Sequence, residues 1–331
     1  MFDGDVTPAF WVGFLTLIGI LLALDLFVFH RKPHEVKAGE AFKWVLFWVG
    51  LAVIFNIFIH LEFGAARALE FTTGYLIEEA LSIDNVFVFL ILFRYFHVPK
   101  KYQHRVLFFG ILGAIILRGV FILAGSAMLA RFHWVIYIFG LFLVFTGIKL
   151  LFQDEVHVDP EHNPALRLMR RIVPMTSQYH GKYFFVKQAG KWFATPLFAV
   201  LVVVEATDVV FAVDSIPAIF GVTRDPFIVY TSNIFAILGL RALFMLLAGI
   251  VEKFRYLKYG LGLVLAFVGV KMLISGWISI HIGVSLGVVV LLLGGSIALS
   301  FIIKAPPKKT DPHDELPPED KPMSPDKPVE P

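Results

Sequence analysis

The sequence predicts an all-α polytopic membrane protein with about nine transmembrane helices. Two observations lead to this fold class. Hydrophobic residues make up 58% of the 331-residue chain and charged residues only 17%, whereas an average soluble domain contains about 25% charged residues. The apolar residues also come in long continuous runs instead of alternating with polar ones, which favours helices over a β-barrel. Cysteine is absent, which excludes disulfides, thiolate metal ligands and cysteine nucleophiles.

Nine apolar runs are each close to the roughly 20 residues that a helix needs to cross a bilayer. They lie at 10–29, 44–61, 71–93, 106–130, 133–152, 195–216, 227–250, 257–275 and 282–303. The connections rich in lysine and arginine alternate with connections that are poor in them, and the rich connections stay on the cytoplasmic side. We therefore expect the N-terminus outside and the C-terminus in the cytoplasm.

The third to fifth spans recur as the sixth to eighth. Asp84 and Arg118 of the first copy match Asp208 and Arg241 of the second, at offsets of 124 and 123 residues. The fifth and eighth spans share a Tyr-Gly-Phe-Gly-Lys pattern at an offset of 122. Because each copy has three spans, the second must cross the membrane in the opposite sense. The sequence thus predicts an inverted 3+3 repeat, which in transporters has the binding site at the repeat interface.

This organisation divides the chain into six segments. They are an N-terminal two-helix membrane segment (1–70), repeat 1 (71–152), a cytoplasmic linker (153–194), repeat 2 (195–275), a final helix (276–303) and a tail (304–331). The tail contains nine prolines, and we expect it to be disordered and cytoplasmic. Within the linker, the stretch around Gly190 is interpreted either as a short hairpin or as a packed loop.

Acidic side chains inside the third and sixth spans indicate cation transport. These spans carry six carboxylates against two arginines in the membrane. A carboxylate at the bilayer centre costs at least about 2.5 kcal/mol on insertion scales, so protons or a bound cation must balance the excess charge. Carboxylate and amide oxygens suit hard ions such as Mg²⁺, Ca²⁺ and Mn²⁺. From the residues alone, the candidate metal ligands are all six carboxylates, with Asn85 beside them and Arg118 and Arg241 as counter-charges. The carboxylates are Glu78, Glu79, Asp84, Glu205, Asp208 and Asp214.

Two acidic motifs resemble the signature of the TerC family of bacterial membrane proteins, in its Alx-type branch. They are the runs 74–88 and 204–219, and the stretches 225–227 and 231–241 continue the resemblance. The resemblance implies a place among LysE-like transporters of the bacterial inner membrane, a link to tellurite resistance by name, and manganese export. It also implies which acids are functional. These are Glu78, Asp84, Glu205, Asp208 and Asp214, whereas Glu79 lies outside the family pattern.

Three functions compete at this point. The first is a divalent-cation exporter, with manganese as the first candidate and proton exchange as a coupling option. The second is a membrane enzyme with paired aspartates, which is disfavoured because the acids recur with the repeat and no glycine precedes Asp84 or Asp208. The third is a scaffold that helps to insert or metallate exported proteins through its linker and tail. We expect no enzymatic activity, no resident cofactor and no nucleic-acid partner.

Overall fold

The computed structural model describes residues 6–24, 38–152, 164–176, 178–188, 190–248 and 256–303. These residues form ten α-helices and one two-stranded antiparallel hairpin. The helices are α1 (Pro8–Leu24), α2 (Ala38–Phe63), α3 (Ala65–Tyr95), α4 (Lys100–Arg131), α5 (Val135–Phe152), α6 (Pro164–Ile172), α7 (Pro196–Phe220), α8 (Pro226–Leu247), α9 (Leu257–Ile274) and α10 (Ile282–Ile302). The strands are β1 (Phe185–Gln188) and β2 (Lys191–Ala194). The predicted tail lies outside the described residues.

Seven helices are long and apolar enough to cross a membrane, namely α2, α4, α5, α7, α8, α9 and α10. Helix α1 is apolar but has only 17 residues. Helix α3 has 31 residues, but Glu78, Glu79 and Asp84 lie close together in it and make it more charged than a simple span. Because a helix satisfies its own backbone hydrogen bonds, it is suited to the lipid interior. The chain is therefore a multi-pass integral membrane protein.

Two predicted connections turn out to be largely helical. Residues 62–70 were predicted to link the second and third spans, but α2 and α3 are separated only by Gly64. Its φ of 90° lies in the region that glycine adopts without steric cost. The predicted connection at 94–105 is reduced to residues 96–99. The predicted boundaries were wrong because these helices continue past the apolar run that the hydrocarbon core requires.

Helix α8 lies at the centre of the bundle, between α2, α3 and α4. The most apolar stretch of this helix is buried on all sides. Helix α3 runs parallel to α8, since Gly74 contacts Ser232 near one end and Phe93 contacts Phe244 near the other. Because α8 has no lipid-facing side, polar side chains on any of its faces meet protein.

Helices α5 and α9 pack closely against each other in antiparallel directions. Gly140 faces Gly269, and Gly147 faces Gly262. A Cβ atom placed on Gly140 would lie 2.9 Å from the carbonyl oxygen of Gly269, and one on Gly262 would lie 2.9 Å from that of Gly147. Small residues that let two backbones approach are a common basis of helix association in membranes. These four glycines therefore determine how closely the two helices approach.

The linker between α5 and α7 contains structure of its own. The predicted hairpin is confirmed, with Phe185 paired to Ala194 and Gln188 to Lys191. Gly190 in its turn has a φ of 80°. Helix α6 was not predicted, because a single short amphipathic stretch gives a weak signal beside nine apolar runs. It packs against α7.

Candidate functional site

The guanidinium group of Arg118 lies at a point where four helices meet. Arg118 is on α4 and only 1% exposed. Its Nη1 donates to Glu78 on α3, and its Nη2 lies 3.4 Å from an oxygen of Asp208 on α7. Nη1 also lies within hydrogen-bond distance of the Ser215 hydroxyl, at 3.2 Å, and of the Asn233 carbonyl oxygen on α8, at 2.9 Å. We call these five residues the Arg118 cluster.

The amide of Asn233 closes this network. Its Oδ1 accepts from Arg118, and its Nδ2 donates to Glu78 over 3.0 Å. Both polar ends of a side chain that is fully buried are therefore used. Since an unsatisfied buried amide is costly, this arrangement fixes the orientation of Asn233 and, through it, the position of the Glu78 carboxylate.

Helical periodicity brings the cluster together on α7. Asp208 and Ser215 are seven residues apart, which is about two turns, so both lie on the face turned toward α4. Helix α4 runs parallel to α7, with Gly110 against Val204 and Gly125 against Phe220. Both contacts depend on the absence of a side chain on α4, because a Cβ on Gly125 would approach the Phe220 ring to 2.9 Å.

The cluster contains two carboxylates and one cation. Arg118 lies between Glu78 and Asp208, and all three side chains are buried. When both acids are ionised, their charge exceeds that of Arg118 by one. An uncompensated charge in a low-dielectric interior is strongly unfavourable. A proton or a further cation would balance this charge.

Three of the remaining predicted ligands, Asp84, Asn85 and Glu205, are not among the hydrogen-bond partners of Arg118. Asp84 is half-buried on α3, and its carboxylate makes no hydrogen bond with another described residue. Asn85 is 1% exposed, and its Oδ1 accepts no hydrogen bond from the described part of the chain. Glu205 on α7 is half-buried against Gly113 of α4, where any Cβ would collide with its carboxylate. Its Oε2 has no hydrogen-bond partner among the described residues.

Two predicted residues lie elsewhere. Asp214 faces α5, where the hydroxyl of Thr146 lies 3.4 Å from its Oδ1. Arg241 is buried on α8 beside a narrow cavity that is lined by Trp44 and Trp48 of α2. Within the described ranges, the structure does not bring three or more histidine or carboxylate side chains close enough to hold a metal ion. The metal role of the six ligands stays a prediction.

A second narrow cavity adjoins the cluster. It lies between α3, α4, α7 and α8 and has space for about one water molecule. Asp208 contributes a polar wall, and Phe89, Leu107 and Leu240 contribute apolar ones. The Oδ2 of Asp208 is buried and has no hydrogen-bond partner among the described residues. A single water molecule beside Asp208 is the most that this cavity can hold.

Sequence reasoning missed Ser215 and Asn233 as members of the site. Each was noticed only as part of a family motif. For Asn233, the available signal was the polar run Thr231-Ser232-Asn233 inside a membrane span. For Ser215, the signal was its seven-residue spacing from Asp208 on the same helix.

A buried polar cluster inside a bundle of apolar helices makes this a polytopic integral membrane protein with a polar centre. The chain belongs to the integral membrane protein TerC family, because the model of that family matches residues 63–308. This confirms the resemblance found in the acidic motifs. No solved structure matches the chain.

Several curated proteins are similar over nearly their whole length. An "Uncharacterized membrane protein STKORF319" of Myxococcus xanthus is 54% identical over 296 residues, which cover 89% of this chain and 93% of that protein. A "Putative membrane-bound redox modulator Alx" of Escherichia coli (strain K12) is 48% identical over 308 residues, covering 90% and 95%. A further membrane protein, from Rickettsia felis, is 46% identical over 294 residues, covering 89% and 98%. The Alx-type branch is thereby confirmed as well.

Proposed function

We propose that this protein is a transporter that exports a hard divalent cation, manganese in the first place, across the bacterial cytoplasmic membrane. One observation carries the proposal. Five buried oxygens of α3 and α7 accept no hydrogen bond from any described residue. They are Glu79 Oε2, Ser82 Oγ, Asn85 Oδ1, Glu205 Oε2 and Asp208 Oδ2. Buried oxygens need a partner, and hydroxyl, amide and carboxylate oxygens are the ligands that Mn²⁺ accepts.

The excess acid in the Arg118 cluster supports the same proposal. An arriving cation would balance the charge that Arg118 leaves over, and a proton would balance it after the cation has departed. The cation is the cargo in this scheme, and proton exchange is the coupling that the charge balance favours. Asp84 and Glu205, near the middle of α3 and α7, would bind the ion between the two repeats.

We further propose nine transmembrane helices in an inverted 3+3 repeat, with the N-terminus outside and the C-terminus in the cytoplasm. In this arrangement α1 and α3 also cross the membrane, and the acids of α3 face protein instead of lipid. The contacts of α5 with α9 support the repeat. Gly140 and Gly147 correspond to Gly262 and Gly269, and exchanging each residue for its counterpart reproduces the same contacts.

Uptake into inside-out vesicles tests the transport function. Vesicles that contain the protein would be given Mn²⁺, Ca²⁺, Mg²⁺ or Zn²⁺, and uptake of each ion would be measured with and without a proton gradient. We expect Mn²⁺ to accumulate, and Asp84→Asn to prevent it. Glu62→Gln is the matched control, because Glu62 is an exposed acid at the end of α2. Equal uptake by empty vesicles would contradict the proposal.

Reporter tags test the topology. Tags after Lys100 and near Gly181 should report the cytoplasm, and a tag near Thr223 should report the outside. If the tags after Lys100 and near Thr223 report the same side, α3 and α7 do not cross in opposite directions and the inverted repeat is wrong.

The name of the Escherichia coli relative suggests a different role, the modulation of redox state. Since this chain has no cysteine, thiol–disulfide exchange cannot occur on its own residues. Export of a redox-active metal would offer an indirect route to a redox phenotype. The vesicle experiment distinguishes this route from a function that does not involve transport.

A further inference from the structure

The linker between the two repeats forms a fixed platform at one end of the membrane helices. The hydroxyl of Tyr179 donates to the carbonyl oxygen of Phe96 over 2.7 Å, at the turn between α3 and α4. Burial raises the pKa of Tyr179 to about 12, so the hydroxyl remains a donor at neutral pH. On the other side, the Phe185 ring packs at 4.4 Å from that of Phe198, near the start of α7. The linker is thus attached at two separate helix ends.

A cation–π contact strengthens this attachment. The guanidinium of Arg105 on α4 lies 5.6 Å from the Phe109 ring and 5.2 Å from the Phe184 ring next to the hairpin. The hydroxyl of Thr195, immediately before α7, donates to the Tyr183 carbonyl over 2.8 Å. The hairpin is therefore positioned where the helices leave the hydrocarbon core.

The outer side of the platform is both basic and apolar. Residues 164–204 include six lysines and arginines and no acidic residue. Lys182, Lys187 and Lys191 of the hairpin region are all exposed. Trp192 lies across from Lys187 and is 62% exposed, and Tyr183 is exposed next to Lys182. Tryptophan and tyrosine beside lysine are typical of the membrane–water interface.

Helix α6 repeats this combination. Leu166 and Met169 are buried, on the helix that packs against α7. Leu168 and Ile172, four residues apart, form an exposed apolar stripe, and the exposed fraction of Ile172 is 70%. The exposed Arg167 lies next to that stripe. An amphipathic helix with basic and large apolar side chains is suited to lie in the plane of a membrane surface.

We propose that α6 and the β1–β2 hairpin bind the anionic phospholipid headgroups of the leaflet from which α4 and α7 emerge. The basic residues would contact the phosphate groups, and Leu168, Ile172, Tyr183 and Trp192 would insert at the level of the headgroups. The charge of the segment, its attachment at two helix ends and the direct passage from β2 into α7 all favour lipid over a soluble partner. The proposal does not depend on cation export.

Lipid retention tests the charge part. The full-length protein would be reconstituted with phosphatidylcholine and phosphatidylglycerol, and the lipids that co-purify would be quantified. Each basic residue near an anionic surface favours binding about fivefold. A variant with Lys182→Gln, Lys187→Gln and Lys191→Gln should therefore lose most of its selectivity for phosphatidylglycerol. The matched control changes Lys43, Arg131 and Arg224 to Gln, which removes the same charge at exposed positions away from the platform, since Arg131 and Arg224 lie at the opposite ends of α4 and α7. Equal losses in the two variants would overturn the proposal.

A fluorescent label tests the location. Because the natural chain has no cysteine, Gln188→Cys gives a single labelling site at the exposed hairpin. In vesicles with nitroxide-labelled phosphatidylglycerol, we expect strong quenching of the label, which weakens at 1 M salt as screening shortens to about 3 Å. A label that remains unquenched in these vesicles would mean that the platform faces the aqueous phase or a protein, and would overturn the proposal. If the protein exports no manganese but the label is quenched as expected, only the proposed function is contradicted.

Discussion

The two repeats place equivalent arginines in different surroundings. Arg118 on α4 lies between two carboxylates at the meeting point of four helices. Its counterpart Arg241 on α8 borders a narrow cavity next to Trp44 and Trp48. The acids differ in the same way. Asp208 is bound to Arg118, whereas its counterpart Asp84 makes no ion pair with a described residue. Residues that match in sequence therefore have unequal contacts in the structure.

The helices outside the repeat explain this difference. Helices α1 and α2 cover α8, with Trp11 of α1 at 5.3 Å from Phe227 and Phe55 of α2 at 4.8 Å from Phe235. In α4, by contrast, half of the most apolar stretch of the helix is not buried. Helix α8 is thus enclosed by protein, whereas α4 is covered on one side only. The helices outside the repeat therefore give the two matching arginines different neighbours, while the Arg118 cluster takes residues from both repeats.

At the interface between α5 and α9, in contrast, residues that match in the two repeats have the same contacts. Each glycine contact there has a counterpart that is related by the repeat, down to the same backbone atoms. A Cβ on Gly147 would lie 2.7 Å from the Ala266 nitrogen, and one on Gly269 would lie 2.8 Å from the nitrogen of Val144, the equivalent residue. Matching residues therefore have the same contacts where the two repeats pack against each other. They have different contacts where a helix outside the repeats packs against only one copy.

The largest difference is expected between Arg118→Gln and Arg241→Gln. Arg118→Gln leaves two buried carboxylates without their cation, a type of change that costs about 3–5 kcal/mol. We expect a clear drop in the melting temperature in detergent and loss of manganese export. Arg241→Gln should retain more export, because Arg241 lies next to Trp44 and Trp48 instead of the site acids. Equal effects on export would break the comparison.

Arg118→Lys is the matched variant for this pair. It keeps the positive charge but loses the planar group that contacts several acceptors at once. We expect melting between that of the natural protein and Arg118→Gln. If Arg118→Lys is as unstable as Arg118→Gln, geometry rather than charge balance stabilises the cluster.

The next largest effect is the difference in melting temperature between variants of Asp84 and of Asp208. Asp84→Asn should abolish manganese export with little change in melting temperature, because Asp84 has no hydrogen bond to lose among the described residues. Asp208→Asn should reduce both, since it also removes an ion pair with Arg118. Glu205→Gln should abolish export in the same way as Asp84→Asn. Export would be measured as intracellular manganese after a manganese load, at equal membrane levels of each variant.

Glu79→Gln is the control for this series. Glu79 is a half-buried acid on the same helix but lies outside the family pattern, so we expect it to weaken export without abolishing it. Normal export by Asp84→Asn would mean that the proposed carboxylate site in the middle of the membrane is wrong.

A smaller and equal effect is expected for Gly147→Ala and Gly269→Ala. Each adds a methyl group against the backbone of the partner helix, and overpacking of this kind costs about 1–3 kcal/mol. Thermal unfolding in detergent should show similar losses for both. Gly50→Ala is the control, since its Cβ would meet nothing within 4 Å. Clearly unequal losses would show that the α5–α9 interface is not symmetric.

The smallest effect is expected from truncation after Lys304. The removed residues lie outside the membrane spans and outside the predicted metal ligands, so transport should continue unchanged. Manganese uptake in vesicles would be compared with that of the full chain at the same protein level. Loss of uptake in correctly inserted protein would favour the scaffold function over the transporter.

The sequence by itself determined the class of fold and the residues of interest. Long apolar runs require helices in lipid, because no water is present to satisfy an open backbone. Because burying a charge in the membrane is costly, each acid in α3 and α7 could be identified from the sequence as a candidate site residue. The matching offsets indicated the repeat. These properties depend on composition and spacing along the chain, which a single sequence contains in full.

Only the tertiary structure decided which of these residues meet. An apolar helix in a membrane gives little indication of which face contacts lipid and which contacts protein, since both surroundings accept the same side chains. The convergence of Glu78, Asp208, Ser215 and Asn233 on Arg118 depends on the packing of four helices and on glycines that let α4 approach α7. The separation of Asp214 and Arg241 from that cluster depends on the same packing, because residues that are distant in sequence become neighbours only when the helix contacts are fixed.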